Sequence, residues 1–215
     1  MKEIKLGIGV PLTHNTLPVE FFESFVAMRK PQKHMFFRAN SYQGLAVMRN
    51  QLVEAAQKNN CTHLLFLDVD HRHNPDTIVR LLSYDLPIVS GLSFMRVPPY
   101  SPCVFSGCIN NYKTIKIIPK NTLLEVDSVG GACLLVNMDV FKNIQKPYFS
   151  FMKNPDHNVP FDIGEDVYFC NLVKQAGYKI YVDTGCINKH LGVIEVDEEV
   201  CNIWEIGESY LEKNK

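Results

Sequence analysis

Hydrophobic and polar positions alternate in two periods along this chain. IKLGIGVP is a nearly continuous apolar run that stops at Pro11, the pattern of a first buried strand. Pro18 suits the first turn of a helix through VEFFESFVAM. The polar and aromatic stretch PQKHMFFRANSYQG reads as a loop or a short strand. From Ser41 onward, Leu45, Met48, Leu52, Ala55 and Ala56 recur at helical spacing, which predicts a helix to about Asn59. THLLFLD is the next strand, and Asn74–Pro75–Asp76 opens a helix that ends near Tyr84. PIVSGL is strand-like, and a Pro-rich loop, RVPPYSP, follows it. CVF and YKTIKII suggest a hairpin region, and LLEVDSVGGACLLVN suggests two strands flanking a glycine pair. NMDVFKNI reads as a short helix and PYFSFMKNPDHNVPFDIG as a long, turn-rich loop. EDVYFCNLVKQAGY is a clear helix, with Phe169, Leu172, Val173 and Ala176 on one face and Gly177 as its stop. KIYVDT is a last strand, and a short amphipathic segment lies around VCNIW.

Strand and helix alternate through the first half, which predicts an α/β fold with a mostly parallel central sheet covered by helices. A chain of 215 residues suits one such domain, here read as residues 1–192, followed by an acidic tail at 193–215. The net charge of −1 gives no electrostatic case for a nucleic-acid binder. Seven cysteines, an odd number without paired zinc spacing, point to a reducing compartment; Cys103 and Cys108 are read as core or loop thiols. With no secretory leader pattern and no apolar run of membrane-spanning length, a cytoplasmic location is expected.

Ligands of open α/β sheets sit beyond the carboxyl ends of the strands. Asp68 and Asp70 stand at such an end, directly after the apolar THLLF. Two carboxylates sharing a site repel each other, and a hard divalent cation removes that cost. Residues i and i+2 of an extended segment point the same way, so both can face one ligand. The competing explanation is that one aspartate caps a turn while the other is solvated. His71 and His73 read as loop side chains, and Arg72 as solvated or facing phosphate. Three further groups could join the site. Glu165 and Asp166, in GED, open the clear helix, where a helix amino terminus favours carboxylates in any case. Gly130 and Gly131 permit a bulge or the approach of a ligand to the backbone, or else form a simple turn. His190 follows the last strand and matters only if the fold brings it to Asp70.

The order of these parts resembles that of GT-A-type glycosyltransferases, close to the bacterial and phage members of glycosyltransferase family two. The matching pieces are IGVPLTHNTLPVEFFESFVAM, MRNQLVEAA, LLFLDVDHRHNPDTIVRLL, VGGACLLVNMDVF, GEDVYFCNLVKQAGYKIYVD and KHLG, which together cover most of residues 4–192. The resemblance implies a single GT-A (Rossmann-like) domain. Its reaction would be metal-dependent transfer of a sugar from a nucleotide-sugar to an acceptor hydroxyl, with inversion. Asp68 and Asp70 would form the D-x-D motif that places Mn²⁺ or Mg²⁺ and the diphosphate, with Asp70 on the ion and Asp68 nearer the ribose or a metal-bound water. His190 would complete the metal site. Pro11, Leu12 and Thr13 would line the base and ribose, and Arg49 and Asn50 would border the nucleotide. Arg49 could equally form a salt bridge on its helix. Gly130 and Gly131 would admit donor sugar or acceptor, Asp166 would be the base, and Glu165 would bind acceptor or donor sugar. A UDP-sugar is favoured, with a GDP-sugar as the alternative; PLTHNT departs from the more polar nucleotide stretch usual in the family, which leaves the nucleotide open. The acceptor hydroxyl could belong to a glycan, a protein or a modified nucleic acid, and a homo-oligomer is compatible with the sequence. A nucleotidyltransferase is the rival enzyme, although IGVPLTHNTLP lacks the glycine-rich basic loop usual there. A non-catalytic sugar-nucleotide or carbohydrate-binding protein is the rival from another class.

Overall fold

A computed structural model describes residues 3–109, 111–153, 162–192 and 196–213. Its strands are β1 (Leu6–Leu12), β2 (His34–Asn40), β3 (His63–Leu67), β4 (His71–Arg72), β5 (Ile88–Ser93), β6 (Val104–Ser106), β7 (Lys113–Thr114), β8 (Leu123–Val126), β9 (Ser128–Val129), β10 (Cys133–Asn137) and β11 (Ile180–His190). The helices are α1 (Val19–Ala27), α2 (Leu45–Lys58), α3 (Thr77–Ser83), α4 (Glu165–Gln175) and α5 (Glu198–Lys213), with a 3-10 turn at Val140–Lys142.

The main sheet runs β2-β1-β3-β10-β5-β11-β4, with β8 also paired to β11. β1 pairs in parallel with β2 and β3, and β5 in parallel with β11, so most of the long strands share one direction. β10 is inserted antiparallel between β3 and β5. That strand turns back at the glycine pair, which places Gly130 and Gly131 at the same sheet edge as the carboxyl ends of β1, β3 and β5. β7, β6 and β9 form a small second sheet.

Apolar runs without alternation are what a strand covered on both faces requires, and β3 fulfils this. Leu64 and Phe66 pack with Met48, Leu52, Phe149 and Phe169 on one face of the sheet. Leu65 and Leu67 pack with Phe21, Ile78 and Leu81 on the other. α4 stops where expected: Gly177 takes a φ of +84°, and Tyr178 N–H donates back to the Val173 carbonyl.

Several elements differ from the sequence expectation. HMFFRAN is a full strand, hidden because it is an edge with mostly exposed or half-buried side chains. α3 begins at Thr77, since Asn74 closes a turn instead, its Oδ1 accepting from Asp76 N–H at 3.0 Å. The last strand continues past Thr184 to His190 through a register shift between Asp183 and Ile187. Buried Asp183 holds this bulge, paired with Arg80 of α3 and accepting from Gly185 N–H at 2.9 Å. The carboxyl-terminal helix, α5, packs on the domain through buried Cys201 and through Trp204, which meets Tyr100 edge-on at 5.6 Å.

Candidate functional site

The extension of β11 builds one half of the site. His190 pairs with His71 and Lys189 with Arg72, so the segment after Asp70 becomes the short strand β4. The two imidazoles stack with centroids 4.1 Å apart. Asp70 lies against both: Oδ1 is 2.9 Å from His71 Nδ1, and Oδ2 is 3.1 Å from His190 Nε2. One ligand atom from each of Asp70, His71 and His190 falls within 4.8 Å of the others. Burial alone would raise the Asp70 carboxyl, but hydrogen bonds from His190 and His71 outweigh it and hold it well below the usual carboxylate range.

This set fits a divalent cation. His190 Nδ1 lies 2.7 Å from the Phe94 carbonyl and must donate to it. In the neutral ring Nε2 then presents a lone pair to the Asp70 carboxylate, an arrangement that calls for a proton or a cation. His71 Nε2 is buried without a hydrogen-bond partner among the described residues. Asp68 is not among these three residues.

Asp68 belongs to the other half, built around Arg49. That side chain is 1% exposed although it is charged, so it must be fully partnered. Its Nη2 donates to both Asp68 carboxylate oxygens at 3.0 Å, Nε to Glu165 Oε1 at 3.0 Å, and Nη1 to the Gly131 carbonyl at 3.2 Å. Burial works against the Arg49 charge, but Asp68 and Glu165 more than restore it and raise its pKa. Burial pushes the Asp68 and Glu165 carboxyls up, and Arg49 pulls them back. The glycine at 131 has a steric cause here: a Cβ would stand 2.7 Å from Arg49 Nη2. Gly131 N–H donates to Asp166 Oδ2 at 3.1 Å, and Val167 N–H to Asp166 Oδ1 at 2.7 Å. Asp166 is half-buried, its carboxylate oriented by two amides. A continuous set of contacts therefore joins the end of β3, the glycine turn and the amino terminus of α4.

The remaining expected residues divide. Pro11 and Leu12 end β1, buried, with exposed Thr13 just beyond. Asn50 clasps another segment: its Oδ1 accepts from Tyr148 and Phe149 N–H, and its Nδ2 donates to the Ala46 and Phe149 carbonyls. Gly130 abuts Cys103, whose Cβ would lie 3.0 Å from an added Cβ. Glu165 is 5% exposed and faces Arg49. Sequence reasoning passed over His71, whose signal was its place directly after D-x-D. It also passed over Arg96, which left no local signal; its Nη1 lies 3.5 Å from Asp70 Oδ2.

No protein-family model matches this chain, and no curated protein sequence does. Solved structures match it in fold. A197 from STIV superposes with a TM-score of 0.65 at 14% identity, covering 88% of this chain and 86% of that one. GalNAc-T7, solved with UDP, GalNAc and Mn²⁺, gives 0.63 at 12% identity, over 89% of this chain and 44% of that one. S. aureus TarS 1-349 in complex with UDP-GlcNAc gives 0.51 at 13% identity, over 92% of this chain and 60% of that one. This chain thus spans about half the length of the latter two proteins. The architecture is GT-A-type, a helix-covered and mostly parallel sheet with its candidate site at the carboxyl ends of the strands.

Proposed function

We propose that this protein is a metal-dependent glycosyltransferase that moves a sugar from a nucleotide-sugar to an acceptor hydroxyl with inversion. The observation that carries this reading is the juxtaposition of Asp70, His71 and His190 at the strand ends of a GT-A fold. Asp70 and His190 would hold Mn²⁺ or Mg²⁺, with His71 as a third donor. Two imidazoles beside one carboxylate favour Mn²⁺ over Mg²⁺. When bound, the cation supplies Lewis-acid charge for the departing diphosphate. The donor would be a UDP-sugar before a GDP-sugar, the nucleotide lying along Pro11, Leu12 and Thr13. GalNAc-T7 and TarS, structures of the same fold, were solved with UDP and with UDP-GlcNAc.

Asp166 is the candidate base. Its carboxylate is oriented by Gly131 and Val167 amides and is only half-buried, so an oxygen can face an incoming hydroxyl. The acceptor oxygen attacks the anomeric carbon from the face opposite the leaving group, and its proton passes to Asp166. Arg49 sets the distance between this base and the D-x-D segment by gripping Gly131, Glu165 and Asp68 together. Glu165 is then a positioning residue, and Asp68 faces the ribose side under Arg49's neutralising charge.

A turnover screen against UDP-, GDP- and dTDP-sugars with Mn²⁺ tests the reading. Donor hydrolysis should appear with one of them. In Asp166→Asn, transfer should fall by roughly a hundredfold or more while nucleotide affinity stays within about twofold of wild type. Loss of nucleotide binding in that variant would refute the base assignment.

A further inference from the structure

We propose that Arg96 is a catalytic residue that grips the departing diphosphate, an assignment that rests on the donor-site reading above. The chain leaves β5 in a hairpin: Phe94 bridges Pro102, Met95 N–H donates to Ser101, and Tyr100 N–H donates to Val97. The base of this hairpin is tied to the Asp70–His71–His190 cluster, because the Phe94 carbonyl accepts from His190 Nδ1 at 2.7 Å. Arg96 stands on its outgoing arm with its side chain 58% exposed, and its Nη1 is 3.5 Å from Asp70 Oδ2. That separation lies beyond a normal N–H···O bond, and an exposed contact of this kind contributes little to stability.

The neighbouring cations point elsewhere. Successive residues of a strand face opposite sides, so where His71 and His190 face the cluster, Arg72 and Lys189 face away from it. There Arg72 lies 3.9 Å from Glu23, and Lys189 lies 3.6 Å from Asp197. Among the described residues, Arg96 is therefore the guanidinium left loosely beside the Asp70 carboxylate. With a cation held by Asp70, His71 and His190, the charge that attracts Arg96 would be cancelled, and a bound donor would bring a diphosphate to the same place. A guanidinium matches two phosphate oxygens with paired N–H donors.

In the transfer step the bond between the anomeric carbon and the β-phosphate oxygen breaks, and its electron pair stays on that oxygen. The acceptor oxygen forms the new bond to carbon, and its proton goes to Asp166. Arg96 meets the negative charge gained by the β-phosphate.

Calorimetric titration with Mn²⁺ of UDP and UMP, and of GDP and GMP in parallel, into wild type, Arg96→Ala and Arg96→Lys tests the assignment. In Arg96→Ala the diphosphate should weaken roughly tenfold or more, with the monophosphate unchanged. Arg96→Lys should recover part of the loss, and kcat should fall more than donor KM rises. The exposed side chain predicts an unchanged melting temperature in Arg96→Ala. Equal weakening of mono- and diphosphate, or no change in either, would overturn the role. Wild type that binds none of the four nucleotides would instead remove the donor-site reading, and the Arg96 role with it.

Discussion

Arg49 is the residue on which the Asp68–Glu165 half of the site depends. A buried cation between two carboxylates is stable only while all three charges are present, and removing one partner of a buried pair costs about 3–5 kcal/mol. Arg49→Met should therefore lower stability by about that amount in urea unfolding, and Arg49→Lys by less, since the charge survives without the planar fork. A stability close to wild type in Arg49→Met would mean that Asp68 and Glu165 find other partners. The sequence placed Arg49 beside the nucleotide or in a salt bridge on its helix; in the structure its ion-pair partners are Asp68, 19 positions on, and Glu165, 116 positions on. No helical or strand period carries that information. His190 was given a role only by the family resemblance, while Asp70 and Asp166 were legible because one follows and the other opens a strongly patterned element. His71 was not, since its burial comes from a pairing with β11 that the two-residue strand β4 does not announce.

At the scale of elements, β3 carries both the core and the site. Phe66 is fully buried and touches Phe149 edge-on at 5.3 Å, with the Arg49 guanidinium 5.5 Å from its ring centre. Phe66→Ala should cost about 3–5 kcal/mol, read as a shift of the urea midpoint; a cost under about 1 kcal/mol would contradict the packing described. His63 opens the same strand at 9% exposed, and burial lowers its pKa, with Asp85 and Asp139 opposing only in part. The unfolded chain takes up a proton near pH 6.5, before folded His63 does. The stability this group confers is thus intact above about 6.5 and is lost as pH falls toward its lowered folded value. Melting temperature should drop from about pH 7.5 to about 5.5, and drop less in His63→Gln; equal slopes would remove His63 from the account. β1, α2, β3 and α4 were legible because long apolar runs and helical periods leave little choice. β2 and the second half of β11 were not, because an edge strand has few buried positions and a bulge breaks the period of two.

At the scale of the molecule, a GT-A architecture on 215 residues places every strand end that matters on one edge. Among the described residues no helix is long and apolar enough to cross a membrane. The antiparallel β10 gives this edge its glycine turn, and the long β11 brings His190 back beside Asp70. The central claim is that Asp70, His71 and His190 hold a divalent cation for a nucleotide diphosphate. Its most direct test is the affinity for UDP with and without Mn²⁺, in wild type and in Asp70→Asn. Mn²⁺ should tighten UDP binding roughly tenfold or more in wild type and leave Asp70→Asn unchanged. Equal affinity in wild type with and without Mn²⁺, or the same Mn²⁺ gain in Asp70→Asn, would contradict it.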